Sequence, residues 1–171
     1  TNYYGFDTKK KKVYYQSVEN GSINRDVYVI DINGKNKKRL STKEGQSNAS
    51  FSSDFSFYIN RHSSATTPTS YTLNKSSNGE VVKIIKDNKK VAEKLSSYKL
   101  SKKEFSTIHI NGNDLNMWMI KPKNFDANKK YPMLMFQYSG PGSQQVANRW
   151  NSANDYWYFM LAQQGYLVVC V

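Results

Sequence analysis

Short runs of alternating apolar and polar residues fill roughly the first half of the chain. The candidate strands are Lys12–Val18, Asp26–Ile32, Phe55–Arg61, Ser70–Asn74 and Val81–Ile85. Turn residues separate these runs at close intervals, and we find no convincing helical periodicity before about residue 86. This pattern is typical of an all-β sandwich, barrel or propeller.

Three Asn-Gly pairs lie between or beside these runs, at residues 20–21, 33–34 and 78–79. Because Asn-Gly supplies the positive φ angles of a two-residue turn, we expect a tight hairpin at each pair. A weak internal repeat relates Val13–Ser17 to Phe57–Arg61, each followed by a polar turn and another strand. The repeat indicates successive blades of a β-propeller, and two blades are too few for a closed one.

The pattern changes after Asp87. Val91 and Leu95, set among lysines and a glutamate, predict a short amphipathic helix or a charged connector over residues 88–105. Two further strands follow, Thr107–Ile110 and Asn116–Ile120. We interpret them as an edge hairpin around the Asn-Gly pair at 111–112.

The last forty residues or so predict a βαβ unit, which indicates an α/β domain. Met133–Tyr138 is an almost continuously apolar run, as expected for a strand buried on both faces of its sheet. Ser152 is the expected N-cap of a helix that runs to about Gln164, with Asp155 in its first turn and Gly165 as its stop. The expected buried stripe of this helix is Trp157, Met160 and Leu161, and the expected final strand is Tyr166–Val171.

Composition and charge narrow the classes of function. The net charge of +12 raises the question of nucleic-acid binding, but the lysines cluster in short runs where turns are expected, so we interpret them as solvated surface and expect no nucleic-acid partner. The single cysteine, Cys170, lies in an apolar run and is expected to pack as a small hydrophobe. We expect no membrane span, no metal site from the two histidines, and no cofactor, because nucleotide-binding glycine motifs are absent.

Several segments resemble the dipeptidyl peptidase IV branch of the prolyl oligopeptidase family of serine peptidases. The matching segments are Val13–Ser17, Arg25–Tyr28, Ala49–Ser52 with Asp54, Tyr131–Leu134 and Gln137–Gln144. The most specific is Tyr138-Ser139-Gly140-Pro141 followed by Ser143-Gln144. The resemblance extends over nearly the whole chain.

The resemblance implies a mixed fold of propeller-type blades, present only in part, followed by the start of an α/β-hydrolase domain. The expected boundaries are 1–87 for the end of the propeller, 88–105 for the connector and 106–171 for the truncated hydrolase domain. It also implies a parent enzyme that releases X-Pro or X-Ala dipeptides from peptide N-termini. The resemblance further implies that this enzyme is periplasmic or secreted. Because some relatives form homodimers, the parent is expected to be a homodimer as well.

Tyr138 is the residue to which the resemblance gives a chemical role, as a donor to the oxyanion of the tetrahedral intermediate. Without the resemblance, Tyr138 would be one of thirteen tyrosines and a simple strand cap. Gly140 and Pro141 are expected to shape the loop that carries it. Ser143 is a candidate nucleophile by residue type, but no histidine lies near it in sequence, so we favour loop capping.

The sequence contains no G-x-S-x-G nucleophile elbow, so we expect an internal fragment without the catalytic Ser, Asp and His, and without peptidase activity of its own. Truncated sheets would also leave unpaired strand edges, so we expect self-association. The alternative interpretation is a non-enzymatic propeller-like module that binds peptides or glycans. That alternative would be favoured if the chain folded as a compact monomer with a closed core and the Tyr138 loop were fully buried.

Overall fold

The chain forms two compact units in a computed structural model that describes residues 2–138, 140 and 142–171. The first unit contains the described residues up to Lys89 together with Asn148–Trp150, and the second contains Lys90–Ala147 and Asn151–Val171. In the described residues, strands predominate and there are two helices of eight and eleven residues. The two units are described separately below.

The first unit contains two four-stranded antiparallel sheets, and the strands of each sheet follow one another in chain order. The first sheet consists of β1 (Asn2–Asp7), β2 (Lys12–Ser17), β3 (Asp26–Asp31) and β4 (Lys38–Arg39). The second consists of β5 (Gln46–Phe51), β6 (Phe57–Ser64), β7 (Thr67–Lys75) and β8 (Val81–Lys86).

An aromatic and aliphatic core holds these two sheets together. Its buried members are Tyr14, Val27, Val29, Leu40, Ala49 and Tyr58. Phe51 lies at the centre of the aromatic part, with ring centroids 4.6 Å from Tyr14 and 5.1 Å from Tyr58. Since aromatic side chains bury large areas and interact favourably when tilted or offset, this cluster stabilises the unit.

The five predicted strands are confirmed, with ends that differ by a few residues, but β1, β4 and β5 were missed. The missed β5 has the sequence QSNASF, in which polar residues dominate. It is a strand because Gln46–Phe51 pairs along its length with β6. Such pairing is a tertiary property that composition does not report.

The prediction of two-residue turns at the first three Asn-Gly pairs is wrong. The connections between the flanking strands are longer, at residues 18–25, 32–37 and 76–80, and only the glycine of each pair has a positive φ. The physical reason is visible at Asn33 and Asn78, whose side-chain oxygens accept hydrogen bonds from the backbone N–H two residues ahead. These asparagines form Asx turns instead of entering the left-handed region.

The second unit contains one mixed four-stranded sheet and two helices. Its elements are α1 (Lys89–Ser96, whose first residue belongs to the first unit), β9 (Lys103–Ile110), β10 (Asn113–Ile120), β11 (Met133–Phe136), α2 (Ala153–Gln163) and β12 (Leu167–Cys170). The sheet order is β11-β12-β10-β9, in which only β11 and β12 are parallel. The hairpin at Asn111-Gly112 is confirmed: both residues have positive φ, and the turn has two residues.

The prediction that β11 is buried on both faces is wrong. The strand β11 lies at the edge of the described sheet, with Met133 and Met135 half exposed, so it is not buried on both faces. An apolar run reports a tendency to be buried but not which neighbour covers it.

The helix α2 begins and ends where the sequence indicates, with Gly165 just beyond it at a positive φ. However, the Ser152 side chain makes no capping hydrogen bond. The predicted stripe is also wrong, since Trp157 and Met160 are exposed, and the buried residues are Asp155, Phe159 and Ala162. The hydrophobicity of α2 is spread around the helix, so periodicity alone could not identify its inner face.

Candidate functional site

Tyr138 lies two residues beyond the carboxyl end of β11, beside its parallel neighbour β12. In α/β sheets, ligand sites form outside the carboxyl ends of parallel strands. The Tyr138 side chain is 63% exposed. Its position and exposure therefore allow the phenolic hydroxyl to meet a ligand.

A cleft of about 320 Å³ lies at this end of the sheet. Tyr138 and Ser143 both line it, together with the polar side chains of Asp114, Asn116, Gln137, Gln144 and Gln145. Val171, directly after β12, also lines the cleft. The structure thus brings two of the predicted site residues into one polar depression.

Gly140 lies against the Tyr138 ring. A Cβ atom placed on Gly140 would be 3.4 Å from Cε1 of Tyr138 and 3.9 Å from its hydroxyl oxygen. The Gly140 carbonyl also accepts a hydrogen bond from the Ser143 backbone N–H at 3.0 Å, which closes a turn. The loop-shaping role of Gly140 stays a prediction, because these are ordinary contact distances. Pro141 lies outside the described residues.

Ser143 has a local structural partner. The Gln145 side-chain Nε2 donates to Ser143 Oγ at 3.1 Å. A serine becomes a nucleophile when a general base is positioned to take its proton, and an amide group is not a base. The arrangement gives no support to a nucleophilic role, and loop capping by Ser143 stays a prediction.

The two histidines have different surroundings. His62, in the first unit, is buried, and its Nδ1 lies 3.0 Å from Ser47 Oγ. Burial lowers the pKa of His62, nearby Lys43 lowers it further, and Asp26 opposes both effects. His109 is exposed, with Nδ1 2.8 Å from Asp114 Oδ1.

The pair of Ser47 and His62 resembles a catalytic dyad in composition only. Both residues are buried, at 1% and 7% exposure, so a substrate carbonyl has no access to the hydroxyl. The two residues are direct partners in the register of β5 and β6. We therefore interpret their contact as a satisfied polar pair between strands.

A buried ion pair that the sequence did not predict lies in the second unit. Lys103 Nζ donates to both carboxylate oxygens of Asp155, at 2.9 and 2.8 Å, and their side chains are 1% and 4% exposed. The same ammonium lies 4.7 Å from the centroid of the Trp118 ring. The feature that could have revealed this pair is the position of Lys103 on β9, where it is the register partner of the buried Ile120 on β10.

A metal-binding cluster and a membrane-spanning helix are both absent from the part of the chain that the structure describes. Within residues 2–138, 140 and 142–171, no cluster of three His, Cys, Asp or Glu side chains is arranged to hold a metal ion. None of the helices described there is both long and apolar enough to cross a membrane. Cys170 is fully buried as expected, and burial raises the pKa of its thiol.

Comparison with known proteins gives one consistent answer. Residues 1–69 match the family model of the dipeptidyl peptidase IV N-terminal region. A probable dipeptidyl-aminopeptidase B of Phaeosphaeria nodorum is 33% identical over 168 residues, which is 96% of this chain and 18% of that protein. A dipeptidyl peptidase 4 of Trichophyton rubrum is 36% identical over 149 residues, or 85% of this chain and 19% of that protein.

A solved structure extends the comparison to the fold. The crystal structure of Porphyromonas gingivalis dipeptidyl peptidase 4 matches with a TM-score of 0.93 and 41% identity, covering 100% of this chain and 24% of that one. The chain thus spans less than a fifth of the length of the two curated relatives described above. On the agreement of the family model, the relatives and the fold, the chain belongs to the dipeptidyl peptidase IV family.

Proposed function

We propose that this chain is part of a serine exopeptidase that releases X-Pro or X-Ala dipeptides from peptide N-termini through an acyl-enzyme. The names of the relatives support the reaction class, because they are dipeptidyl-aminopeptidases and dipeptidyl peptidases. The preference for Pro or Ala comes from the family resemblance. In this proposal, the chain contributes one donor to the active site rather than the whole catalytic machinery.

The proposal assigns the two units to two domains. The two sheets of the first unit are blades of a β-propeller, since each is a four-stranded antiparallel meander that packs against the other. The sheet and helices of the second unit form the start of an α/β-hydrolase domain, with boundaries at 1–87, 88–105 and 106–171. The parallel pair β11 and β12, joined through α2, supports this assignment.

The observation that carries the proposed function is the exposed Tyr138 beyond the end of β11, in a cleft, with Gly140 against its ring. As an acyl transfer begins, the substrate carbonyl oxygen gains negative charge. A neutral hydroxyl fixed near that oxygen donates a hydrogen bond that is stronger in the transition state than in the ground state. Tyr138 would serve as this oxyanion donor.

The other catalytic groups lie outside these 171 residues in this proposal. No serine here has glycines two residues away on both sides, and the Ser143 hydroxyl accepts from Gln145. The serine nucleophile, the acid and the histidine base would come from other parts of the protein. Residues 1–171 alone would then have no peptidase activity.

The decisive experiment compares Tyr138→Phe with the wild type in the complete protein that carries this segment, using Gly-Pro-p-nitroanilide. Losing one oxyanion donor should lower kcat by about 10² to 10³, with little change in KM. Tyr3→Phe is the matched control, because Tyr3 is similarly exposed at 69% but lies on β1. An unchanged kcat in Tyr138→Phe would refute the assigned role.

The alternative, a propeller-like module that binds peptides or glycans without catalysis, predicts a buried Tyr138 loop. The exposure of Tyr138 counts against it. The binding module would be favoured over the enzyme if the complete protein bound a peptide with an X-Pro or X-Ala N-terminus but did not hydrolyse it.

Location and assembly extend the proposal. By family resemblance, we propose that the protein is periplasmic or secreted and that it acts on peptides as a homodimer. Cell fractionation with an antibody to this segment tests the first point. Sedimentation of the complete protein over a range of concentrations tests the second.

A further inference from the structure

The Tyr158 ring lies between two aromatic residues of the sheet in the second unit. Its centroid is 5.5 Å from that of Trp118 on β10 and 5.9 Å from that of Phe136 on β11, and both pairs of rings are tilted. Tyr158 is half-buried in α2, and burial is the main cause of its raised pKa. Tilted aromatic pairs at these distances are favourable and depend on orientation. Tyr158 therefore connects α2 to the last residue of β11.

The end of β11 has one strand neighbour among the described residues. The strand has four residues and pairs only with β12, and its last pair joins Phe136 to Cys170. Tyr138 follows two residues later, outside the ladder. Because the ladder stops at Phe136, the packing of the Phe136 side chain contributes to the direction in which the chain leaves the sheet.

The position of Tyr158 is in turn fixed by the buried ion pair. Asp155 lies three residues before Tyr158, on the same side of α2, and Lys103 holds it with two hydrogen bonds. Since Ser152 does not cap the helix, this pair is the side-chain contact that anchors the first turn of α2 to β9. Lys103 also lies over the ring of Trp118, so it connects the ion pair to a ring that Tyr158 contacts.

From these contacts we propose that Tyr158 is a positioning residue for Tyr138, acting through Phe136, with the Lys103–Asp155 pair fixing the helix that carries it. This inference rests on the proposed function, in which the Tyr138 hydroxyl meets the oxyanion. Tyr158 does not touch the substrate in this arrangement. It orients the end of β11 so that the Tyr138 hydroxyl is held in place before the reaction.

The test is a double-mutant cycle between Tyr158 and Tyr138 in the complete protein, with Gly-Pro-p-nitroanilide as substrate. Titration with a fluorophosphonate gives the concentration of active sites, and each kcat is calculated from that concentration. A smaller fraction of folded protein therefore does not lower the measured kcat. Tyr158→Leu should lower kcat about tenfold with KM little changed, because misplacing a catalytic group by about 1 Å can cost up to about 10² in rate. In the Tyr138→Phe background, the same substitution should have almost no effect, since the hydroxyl that it misplaces is gone.

Two further variants identify the ring as the active feature. Tyr158→Phe retains the ring contacts and should restore kcat to nearly the wild-type value. Tyr156→Leu removes a half-exposed ring from the same helix and should leave kcat unchanged. If Tyr158→Leu does not fold, Phe136→Leu removes the same contact from the strand side and completes the cycle.

The outcomes separate this inference from the proposed function. If Tyr138→Phe alone leaves kcat unchanged, the proposed oxyanion role fails. If Tyr138→Phe lowers kcat but Tyr158→Leu, or Phe136→Leu in its place, has no effect or lowers kcat equally in both backgrounds, the oxyanion role stands and the positioning role of Tyr158 is overturned.

Discussion

Lys103 and Asp155 are separated by 52 positions in the sequence, yet their side chains form a two-pronged hydrogen-bonded ion pair that is almost fully shielded from water. The pair joins the first strand of the second unit to the first turn of α2. Because each charge compensates the other in a region from which water is excluded, the loss of either partner leaves a buried, unpaired charge.

Removing only the lysine should therefore destabilise the protein strongly. Lys103→Met should cost about 3 to 5 kcal/mol of unfolding free energy, since Asp155 is left buried without its partner. Urea denaturation of the complete protein, monitored by tryptophan fluorescence, measures this loss of unfolding free energy. The double variant Lys103→Met with Asp155→Leu should recover much of the loss.

The surface pair of Lys121 and Glu104 provides a control, because Lys121→Met should cost about 1 kcal/mol or less. Equal effects of the two lysine substitutions would contradict the interpretation.

A close approach of backbone requires glycine at position 45. Gly45 has φ 127°, and a Cβ atom there would collide with the Ser63 carbonyl oxygen and approach His62 Cε1 to 3.1 Å. Gly45→Ala should add about 1 to 3 kcal/mol of steric strain to the conformational cost of that φ. Gly34→Ala is the matched control, because Gly34 also has a positive φ, at 80°, but open space around its Cβ position. In thermal unfolding, the melting temperature of Gly45→Ala should be well below that of Gly34→Ala. The reverse order would refute the steric explanation.

Burial of His62 should make stability depend on pH. The pKa of His62 is lowered by burial and by Lys43, so the folded protein keeps a neutral ring where the unfolded chain binds a proton. The stabilising contribution is therefore complete above the unfolded pKa of about 6.5 and is lost as the pH falls below that value toward the folded pKa. The melting temperature should drop between pH 7.5 and pH 5.5 by less in His62→Gln than in the wild type.

Substitution of the exposed His109 by Gln provides the control for this experiment. A drop in His62→Gln as large as that of the wild type would assign the pH dependence to other groups.

The thiol of Cys170 should be unreactive in the folded protein. Its residue is fully buried at the end of β12, and burial raises its pKa, with Lys103 opposing the shift. Since the thiolate is the reactive species, iodoacetamide at pH 8 should label Cys170 only after denaturation. Mass spectrometry of the peptide that contains Leu167–Val171 reads out the modification. Rapid labelling without denaturant would show that β12 opens or that the thiol is accessible.

The sequence alone was sufficient for much of the local structure. Alternation predicted most strands, Gly165 predicted the end of α2, and the Asn111-Gly112 turn came out as expected because both residues take positive φ there. The resemblance that singles out the loop of Tyr138 and Gly140 rests on residues that are contiguous in the chain. These features depend on neighbours along the chain, which the sequence states directly.

Other features depend on residues that the chain brings together from a distance. Alternation could not find β5, because pairing with β6 makes its polar residues a strand. The helix prediction placed Trp157 and Met160 inside, whereas Asp155 is buried in its ion pair and those two residues are exposed. Thus the sequence determined which segments are strands, helices and turns and pointed to the Tyr138 loop. Only the tertiary structure decided which faces are buried and which charges pair, because burial and ion pairing are set by partners that are remote in sequence.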